Sequence, residues 1–241
     1  MHLPQLIEIH DQFLILSRIG QERFAGTLGG KLLLRGGLGP DGIAAVVAAS
    51  IGGAASLCVD EDADRLRDGL RAGFVDFVVA NLDEALRILK NEIRLGRAVA
   101  VGLAAEADPS FDAMIERGLQ PDLLSAIPER QAGIFGERGT VALPAATAGL
   151  ESELSLHSWT IAEDAVRMMP RIARLASESL ETAHRETAAR LRWLDRSPRY
   201  LGRAFGAQQC VRMTDGESAA FLTRLQSELP SAKVTRDRET T

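Results

Sequence analysis

The chain has few cysteines, few aromatic side chains and no long hydrophobic segment. Its 241 residues include two cysteines, Cys58 and Cys210, and no C-x-x-C pair. This usage gives no zinc framework and predicts a reducing compartment. No apolar run approaches the roughly 18 residues that span a bilayer, so we expect no membrane partner. No basic segment leads into an apolar stretch at the N-terminus, which argues against a secretory signal and favours the cytoplasm.

Positive charge is not in excess either. There are 28 Lys and Arg residues against 33 Asp and Glu residues, giving a net charge of -5. A chain without a broad cationic surface cannot release many phosphate counterions, so nucleic acid is not an expected partner. The acids Asp60, Glu61 and Asp62 are adjacent, and neighbouring side chains on an extended chain point to opposite faces. We therefore expect no metal site there.

Short apolar runs alternate with helical patterns from residue 31 onward. Runs that are apolar throughout, with helices between them, are typical of a parallel sheet covered on both faces. We therefore predict an α/β fold, a doubly wound parallel sheet (Rossmann-like), with strand order 3-2-1-4-5. Residues 139–145 are either a sixth strand or a loop. The five predicted strands are Leu32–Leu34, Ala54–Asp60, Phe74–Ala80, Ala98–Ala104 and Pro121–Ile127.

Four segments follow from this pattern. Residues 1–30 form an entry segment whose apolar spacing fits either a helix or a strand, and residues 31–150 form the Rossmann-like domain. Residues 151–232 form a C-terminal helical extension, and residues 233–241 form a polar tail predicted to be disordered.

Several signals mark predicted helix ends. Asn81 with Glu84, and Thr160 with Glu163, have the spacing of capping boxes. Asp108 followed by Pro109 predicts a cap and a first helical residue. Pro170 predicts a break near Met169 in the long helical region. Further along, the sequence predicts an ill-defined stretch after Pro198, a strand at residues 208–213 and a helix at residues 218–229.

Three glycines with the spacing G-x-G-x-x-G follow the first predicted strand. Gly37 permits a tight turn, Gly39 lets a pyrophosphate approach the backbone, and Gly42 lets the next helix pack closely. Asp60 ends the second strand, where it can accept hydrogen bonds from an adenosine ribose and repel the 2′-phosphate of NADP. Asp41 either opposes phosphate or caps the helix. The alternative is a glycine-rich turn without a ligand. The predicted cofactor-binding residues are Gly37, Leu38, Gly39, Pro40, Asp41, Gly42 and Asp60.

Colinear stretches between about residues 20 and 197 resemble the nucleotide-binding domain of the urocanase (urocanate hydratase) family. The resemblance rests on "RFAGTLGGKLLLRGGLG", "IGGAASLCVDEDADRL", "LDEALRILKNEIRLGRAVAVGL", "ERGLQPDLL" and "RLRWLDRS". It implies tightly bound NAD whose nicotinamide acts as an electrophile, and it implies a homodimer. By this resemblance the three glycines contact the pyrophosphate, and Asp60 stands where the family has a ribose-binding glutamate.

The sequence also departs from the family. Pro40 and Asp41 interrupt the glycine loop, and Ala45 replaces a glutamine. "SAIPERQ" stands where the family has a Gln-Thr-Ser-Ala-His-Asp run, and the large catalytic core has no counterpart here. We therefore expect a stand-alone NAD-binding protein without hydratase activity. The alternatives are a diverged lyase or oxidoreductase that uses Glu129, Arg130 and Gln131 on a small polar metabolite, or a ligand-free structural or interaction protein.

Overall fold

The computed structural model describes residues 4–144, 156–161, 168–206, 208–229 and 234–237. By its internal contacts the chain divides into two units, Met1–Gly149 and Leu150–Thr241. The first contains a six-stranded sheet and the second a three-stranded sheet. In the described part of the chain, no helix is both long enough and apolar enough to cross a bilayer.

The first unit has the predicted α/β fold, and every pair of neighbouring strands in its sheet is parallel. The entry segment, which the sequence left open, is a helix. The strands are β1 (Leu32–Gly36), β2 (Ala55–Asp60), β3 (Phe77–Val79), β4 (Ala100–Ala104), β5 (Leu123–Ser125) and β6 (Val141–Ala142). The helices are α1 (Leu6–Arg23), α2 (Pro40–Gly52), α3 (Ala63–Ala72), α4 (Leu82–Arg94), α5 (Ala107–Glu116) and α6 (Glu129–Glu137).

The strand order is β3-β4-β2-β1-β5-β6, so the predicted order 3-2-1-4-5 was wrong. β4 lies between β3 and β2, and β5 lies beside β1. The burial of the strands gives the physical reason. Residues 100–103 of β4 are buried, as an interior strand requires, whereas Phe77 of the short β3 is 46% exposed, as an edge strand allows. A β-carbon on Gly102 of β4 would lie 2.8 Å from Leu66 of α3, so glycine permits this helix to cross closely over the inserted strand.

The core on one face of the sheet joins alternate strand residues to α4, α5 and α6. Leu32 and Leu34 of β1 belong to it, together with Phe111 of α5 and Phe135 of α6. Because strand side chains alternate between faces, Leu33 is directed to the other face. That face is covered by α2 and α3, and α1 packs against α2.

Of the two helix starts predicted for this unit, the one at Asn81 is confirmed. Asn81 is the N-cap of α4 and accepts a hydrogen bond from the N–H of Asp83. The start of α5 was predicted too late: its N-cap is Glu106, and Pro109 is the third helical residue. Proline is tolerated there because the first-turn N–H groups have no partner within the helix.

The second unit contains the predicted C-terminal helices and a sheet. Its helices are α7 (Met169–Ser179), α8 (Thr187–Phe205) and α9 (Asp215–Glu228). β7 (Leu156–Ile161) pairs antiparallel with both β8 (Gln208–Arg212) and β9 (Val234–Asp237). The predicted strand at residues 208–213 and the predicted helix at residues 218–229 are therefore confirmed as β8 and α9.

Three predictions for this unit were wrong. Thr160 lies inside β7 and starts no helix, while Glu163 of the predicted capping box lies outside the described residues. Helix α8 continues through Pro198 to Phe205. The tail was predicted to be disordered, but residues 234–237 form β9. Pairing with β7 supplies its backbone hydrogen bonds, and a polar sequence does not predict such pairing.

A buried ion pair joins α8 to α9 within this unit. Arg190 and Glu217 both have fully buried side chains, and Arg190 Nη1 donates to Glu217 Oε2 at 2.6 Å. Arg190 also donates to the carbonyl of Arg212. Glu217 accepts further hydrogen bonds from the N–H groups of Glu181 and Thr214. The desolvation of both charges is thus offset by several hydrogen bonds, which a buried pair needs.

Candidate functional site

The glycine loop, residues 37–42, connects β1 to α2. Gly37 has φ +75°, a left-handed conformation that glycine adopts without strain, and its N–H donates to the carbonyl of Val59 at 2.8 Å. Gly39 is the N-cap of α2 and Pro40 is its first residue. The turn between a strand and a helix that the motif predicts is therefore present.

Two glycines of the motif have different surroundings. A β-carbon on Gly42 would lie 2.2 Å from the carbonyl oxygen of Gly37, so only glycine lets α2 begin this close to the loop. A β-carbon on Gly39 would meet no atom of the described residues within 4 Å. The space beside the α-carbon of Gly39 is thus open.

Three backbone donors of the loop have no hydrogen-bond partner among the described residues: the N–H groups of Gly39, Asp41 and Gly42. They belong to the start of α2, where no preceding turn exists to accept them, and Pro40 between them has no N–H. The helix dipole adds partial positive charge at the same place. Unpaired donors with positive potential are the features by which such loops hold phosphate.

Asp60 fixes the shape of the glycine loop. Its side chain is 2% exposed, and its Oδ2 accepts the N–H of Leu38 at 2.6 Å. Oδ1 accepts the N–H of Asp62 at 2.9 Å, and Arg65 Nη1 donates to both oxygens. The carboxylate therefore faces the loop, as its position at the end of β2 predicts, and four hydrogen bonds engage its oxygens. Its role at a ribose stays a prediction.

Replacing Asp60 by alanine should loosen the loop. The buried N–H of Leu38 would lose its acceptor, which costs about 1–3 kcal/mol in the free energy of unfolding. Urea unfolding followed by circular dichroism measures this loss. Asp64→Ala is the matched control, because Asp64 pairs with Arg67 at the exposed surface and should contribute less than about 1 kcal/mol. Equal losses in the two variants would contradict the anchoring role.

Of the remaining predicted residues, Leu38 is buried and Asp41 is exposed. Leu38 is fully buried, and its side chain packs against Gly69 of α3, so this contact attaches the loop to α3. Asp41 is exposed in the first turn of α2 and is not the N-cap. The predicted capping role of Asp41 is thus wrong.

Arg35 and Ser125 adjoin the glycine loop, and neither was predicted. They are register partners at the ends of β1 and β5. Arg35 Nη1 donates to Ser125 Oγ at 2.6 Å, and Nε donates to the carbonyl of Gly37 at 3.3 Å. The signal in the sequence was a cation directly before the glycines, inside an otherwise apolar strand.

Of the groups considered for other chemistry, Arg130 and Gln131 contact a carboxylate of α5, whereas Glu129 is exposed in the first turn of α6. Arg130 pairs with Asp112 of α5 at 2.6 Å, and the buried Gln131 donates to the same carboxylate at 3.2 Å. Burial raises the pKa of the Cys58 thiol to about 12, so no thiolate nucleophile forms there. Among the described residues, no group of three His, Cys, Asp or Glu side chains could hold a metal ion.

The glycine loop lies at a topological switch point of the sheet. β1 leads through α2 to β2 on one side, whereas β5 leads through α6 to β6 on the other. Because such crossovers are right-handed, α2 and α6 lie on opposite faces and leave a crevice at the ends of β1 and β5. Doubly wound proteins bind ligands in this crevice. The fold and the loop thus define the class of Rossmann-like proteins.

The sequence match to known proteins is more specific. The model of the urocanase Rossmann-like domain matches residues 5–128, just over half of the 241 residues. The chain belongs to the urocanase family. The matched region begins before α1, contains the glycine loop and ends at Pro128, directly before α6.

Proposed function

We propose that this protein binds NAD or a related adenine dinucleotide, with the diphosphate over the glycine loop. The three unpartnered N–H groups of Gly39, Asp41 and Gly42 carry the proposal. The open space beside Gly39 fits a close approach of the diphosphate, and the family match supports a dinucleotide as the ligand.

Charge at the end of β2 favours NAD over NADP. Asp60, Glu61 and Asp62 follow one another at the end of β2, where the adenosine ribose of a bound dinucleotide is expected, and Arg65 pairs with Asp60 and Asp62. Three carboxylates against one guanidinium leave a negative balance, which would oppose a 2′-phosphate.

Isothermal titration calorimetry tests this proposal directly. The full chain should release heat with NAD and with ADP-ribose, its melting temperature should rise with NAD concentration, and NADP should bind more weakly. Adenosine alone should bind weakly because it offers no diphosphate. The absence of both heat and thermal shift at millimolar NAD would overturn the proposal.

We further propose that the chain alone does not hydrate urocanate. The polar groups after β5 support this, because Arg130 and Gln131 are held by Asp112 on α5. Absorbance of urocanate in the ultraviolet should stay constant when it is incubated with the protein and NAD.

The homodimer and the cytoplasmic location belong to the same proposal, and light scattering should give twice the mass of one chain.

A further inference from the structure

We propose that Arg35 is the cationic contact for the diphosphate of the ligand, and that Ser125 holds its guanidinium in place. This inference rests on the proposed dinucleotide site, which it deepens by naming a side chain that recognises the charged part of the ligand. Neither the glycine motif nor the acid at the end of β2 requires a cation at this position.

The position of Arg35 places its guanidinium beside the glycine loop. Arg35 is the fourth residue of β1, and Ser125, its register partner, is the last residue of β5. Its Nε lies 3.4 Å from the point that a β-carbon on Gly42 would occupy. The guanidinium therefore crosses from β1 toward β5 at the switch point, next to the first turn of α2 and its unpartnered N–H groups.

The charge of Arg35 is not neutralised within the described residues. No carboxylate of the described chain lies within 4 Å of its guanidinium, although Arg65 and Arg130 each form such a pair. Its two acceptors, the carbonyl of Gly37 and the hydroxyl of Ser125, are neutral. Of its five N–H groups, three are thus left for a ligand.

Partial burial raises the free-energy cost of leaving the charge of Arg35 without an anion. Desolvation lowers the pKa of Arg35, and the negative charge of Asp41 acts in the opposite direction without forming an ion pair. A guanidinium that is partly removed from water and has no carboxylate in contact gains free energy from an anion that reaches it. The anion need not displace an existing ion pair.

The chemistry of the guanidinium favours phosphate as that anion. Its planar fork matches two oxygens of a phosphate group, and Ser125 restricts its rotation, so little entropy is lost on binding. The N–H groups of Gly39 and Asp41 lie at the same end of α2, so two kinds of donor can share one diphosphate. A free pyrophosphate ion has the same chemistry and is distinguished by the experiment.

Asp41 provides a control of opposite sign. Its exposed carboxylate lies in the same first turn of α2 and has no hydrogen bond to any described residue. If an anion binds here, removing this negative charge should strengthen binding, whereas removing the positive charge of Arg35 should weaken it. A merely structural role for Arg35 would make the effect of its removal independent of the salt concentration, whereas a charge contact is screened by salt.

The experiment compares the full chain with Arg35→Met and Asp41→Asn by isothermal titration with NAD, ADP-ribose, pyrophosphate and adenosine. Arg35→Met should weaken NAD, ADP-ribose and pyrophosphate about 10-fold, the effect of losing charged hydrogen bonds. Adenosine should bind both proteins equally. Asp41→Asn should tighten the three phosphate ligands about 2-fold to 3-fold, and raising the salt concentration should shrink both effects.

The outcomes separate this inference from the proposed function. If NAD binds the unaltered protein and Arg35→Met equally well, the role of Arg35 is overturned and the dinucleotide function stands. If NAD gives no heat but pyrophosphate binds in a manner that depends on Arg35, the dinucleotide function is overturned and the anion contact stands. Binding of neither overturns both. Should Arg35→Met unfold, Ser125→Ala keeps the cation, releases its anchor, and should weaken NAD about 3-fold.

Discussion

Gly42→Ala should weaken NAD binding about 100-fold, equivalent to about 2.7 kcal/mol. The new β-carbon would lie 2.2 Å from the carbonyl oxygen of Gly37, so either the start of α2 or the loop must move. Such a movement changes the positions of the unpartnered N–H groups of Gly39 and Asp41 relative to each other. Overpacking of this kind should also lower the free energy of unfolding by about 1–3 kcal/mol. Calorimetric titration and urea unfolding measure the two effects.

Gly133→Ala is the matched control for that variant. Gly133 lies inside α6, its φ is not positive, and a β-carbon there would meet no atom within 4 Å. The substitution should raise stability by about 0.5–1 kcal/mol, because alanine is the better helix former, and should leave NAD affinity unchanged. If Gly42→Ala kept the affinity of the unaltered protein, the close start of α2 would have no part in binding.

Glu217→Ala should destabilise the second unit by about 3–5 kcal/mol. The reason is the buried guanidinium of Arg190, which would lose both of its hydrogen bonds to the carboxylate and stay charged without compensation. The N–H groups of Glu181 and Thr214 would lose their acceptor as well. Chemical unfolding followed by the fluorescence of the fully buried Trp193 of α8 reports on this unit.

The control is Glu178→Ala, which removes an ion pair at the surface of the same unit. Glu178 pairs with Arg224 at 3.3 Å, and both side chains are more than two-fifths exposed. Surface pairs contribute about 0–1 kcal/mol, so the unfolding midpoint should barely change. A loss as large as that of Glu217→Ala would show that the buried position has no special importance.

Acid should remove the same stabilisation from the unaltered protein. Burial acts to raise the pKa of Glu217, but its hydrogen bonds from Arg190 and from two backbone N–H groups outweigh burial and hold the pKa below the ordinary 4.5. A lowered pKa in the folded state contributes stability that is present above pH 4.5 and is lost as the pH falls through the lower folded value. The difference in stability between the unaltered protein and Glu217→Ala should therefore shrink below pH 4.5.

Local patterns predicted the parallel sheet and the glycine loop well. Continuous apolar runs mark strands that are buried on both faces, and Gly37 and Gly42 mark a turn in which a side chain at either position would be strained. Strand order was harder to predict, because the insertion of β4 between β2 and β3 depends on contacts between segments far apart in the sequence. Gly102, which lies against Leu66, permits this insertion. A single glycine in a strand does not predict which helix will cross that strand.

The candidate site was predicted only in part, because some of its contacts also join segments that are far apart in the sequence. The positions of the loop and of Asp60 follow from the order of strand, loop and helix along the chain. The contact of Arg35 with Ser125 joins residues 90 positions apart, and it exists only because β5 lies beside β1. The sequence order 3-2-1-4-5 would have placed another strand there. β9 was missed because its sequence is polar and its partner β7 lies far away in the chain.

The hydrogen bond from the N–H of Leu38 to Asp60 affects the conformational entropy of ligand binding. The carboxylate acceptor and the packing of the Leu38 side chain on α3 hold the loop in this conformation without a nucleotide. Association then requires no folding of the receptor, so the conformational cost falls on the flexible dinucleotide. We expect the entropy of binding to depend on the ligand's rotatable bonds, with short diphosphates losing less than NAD.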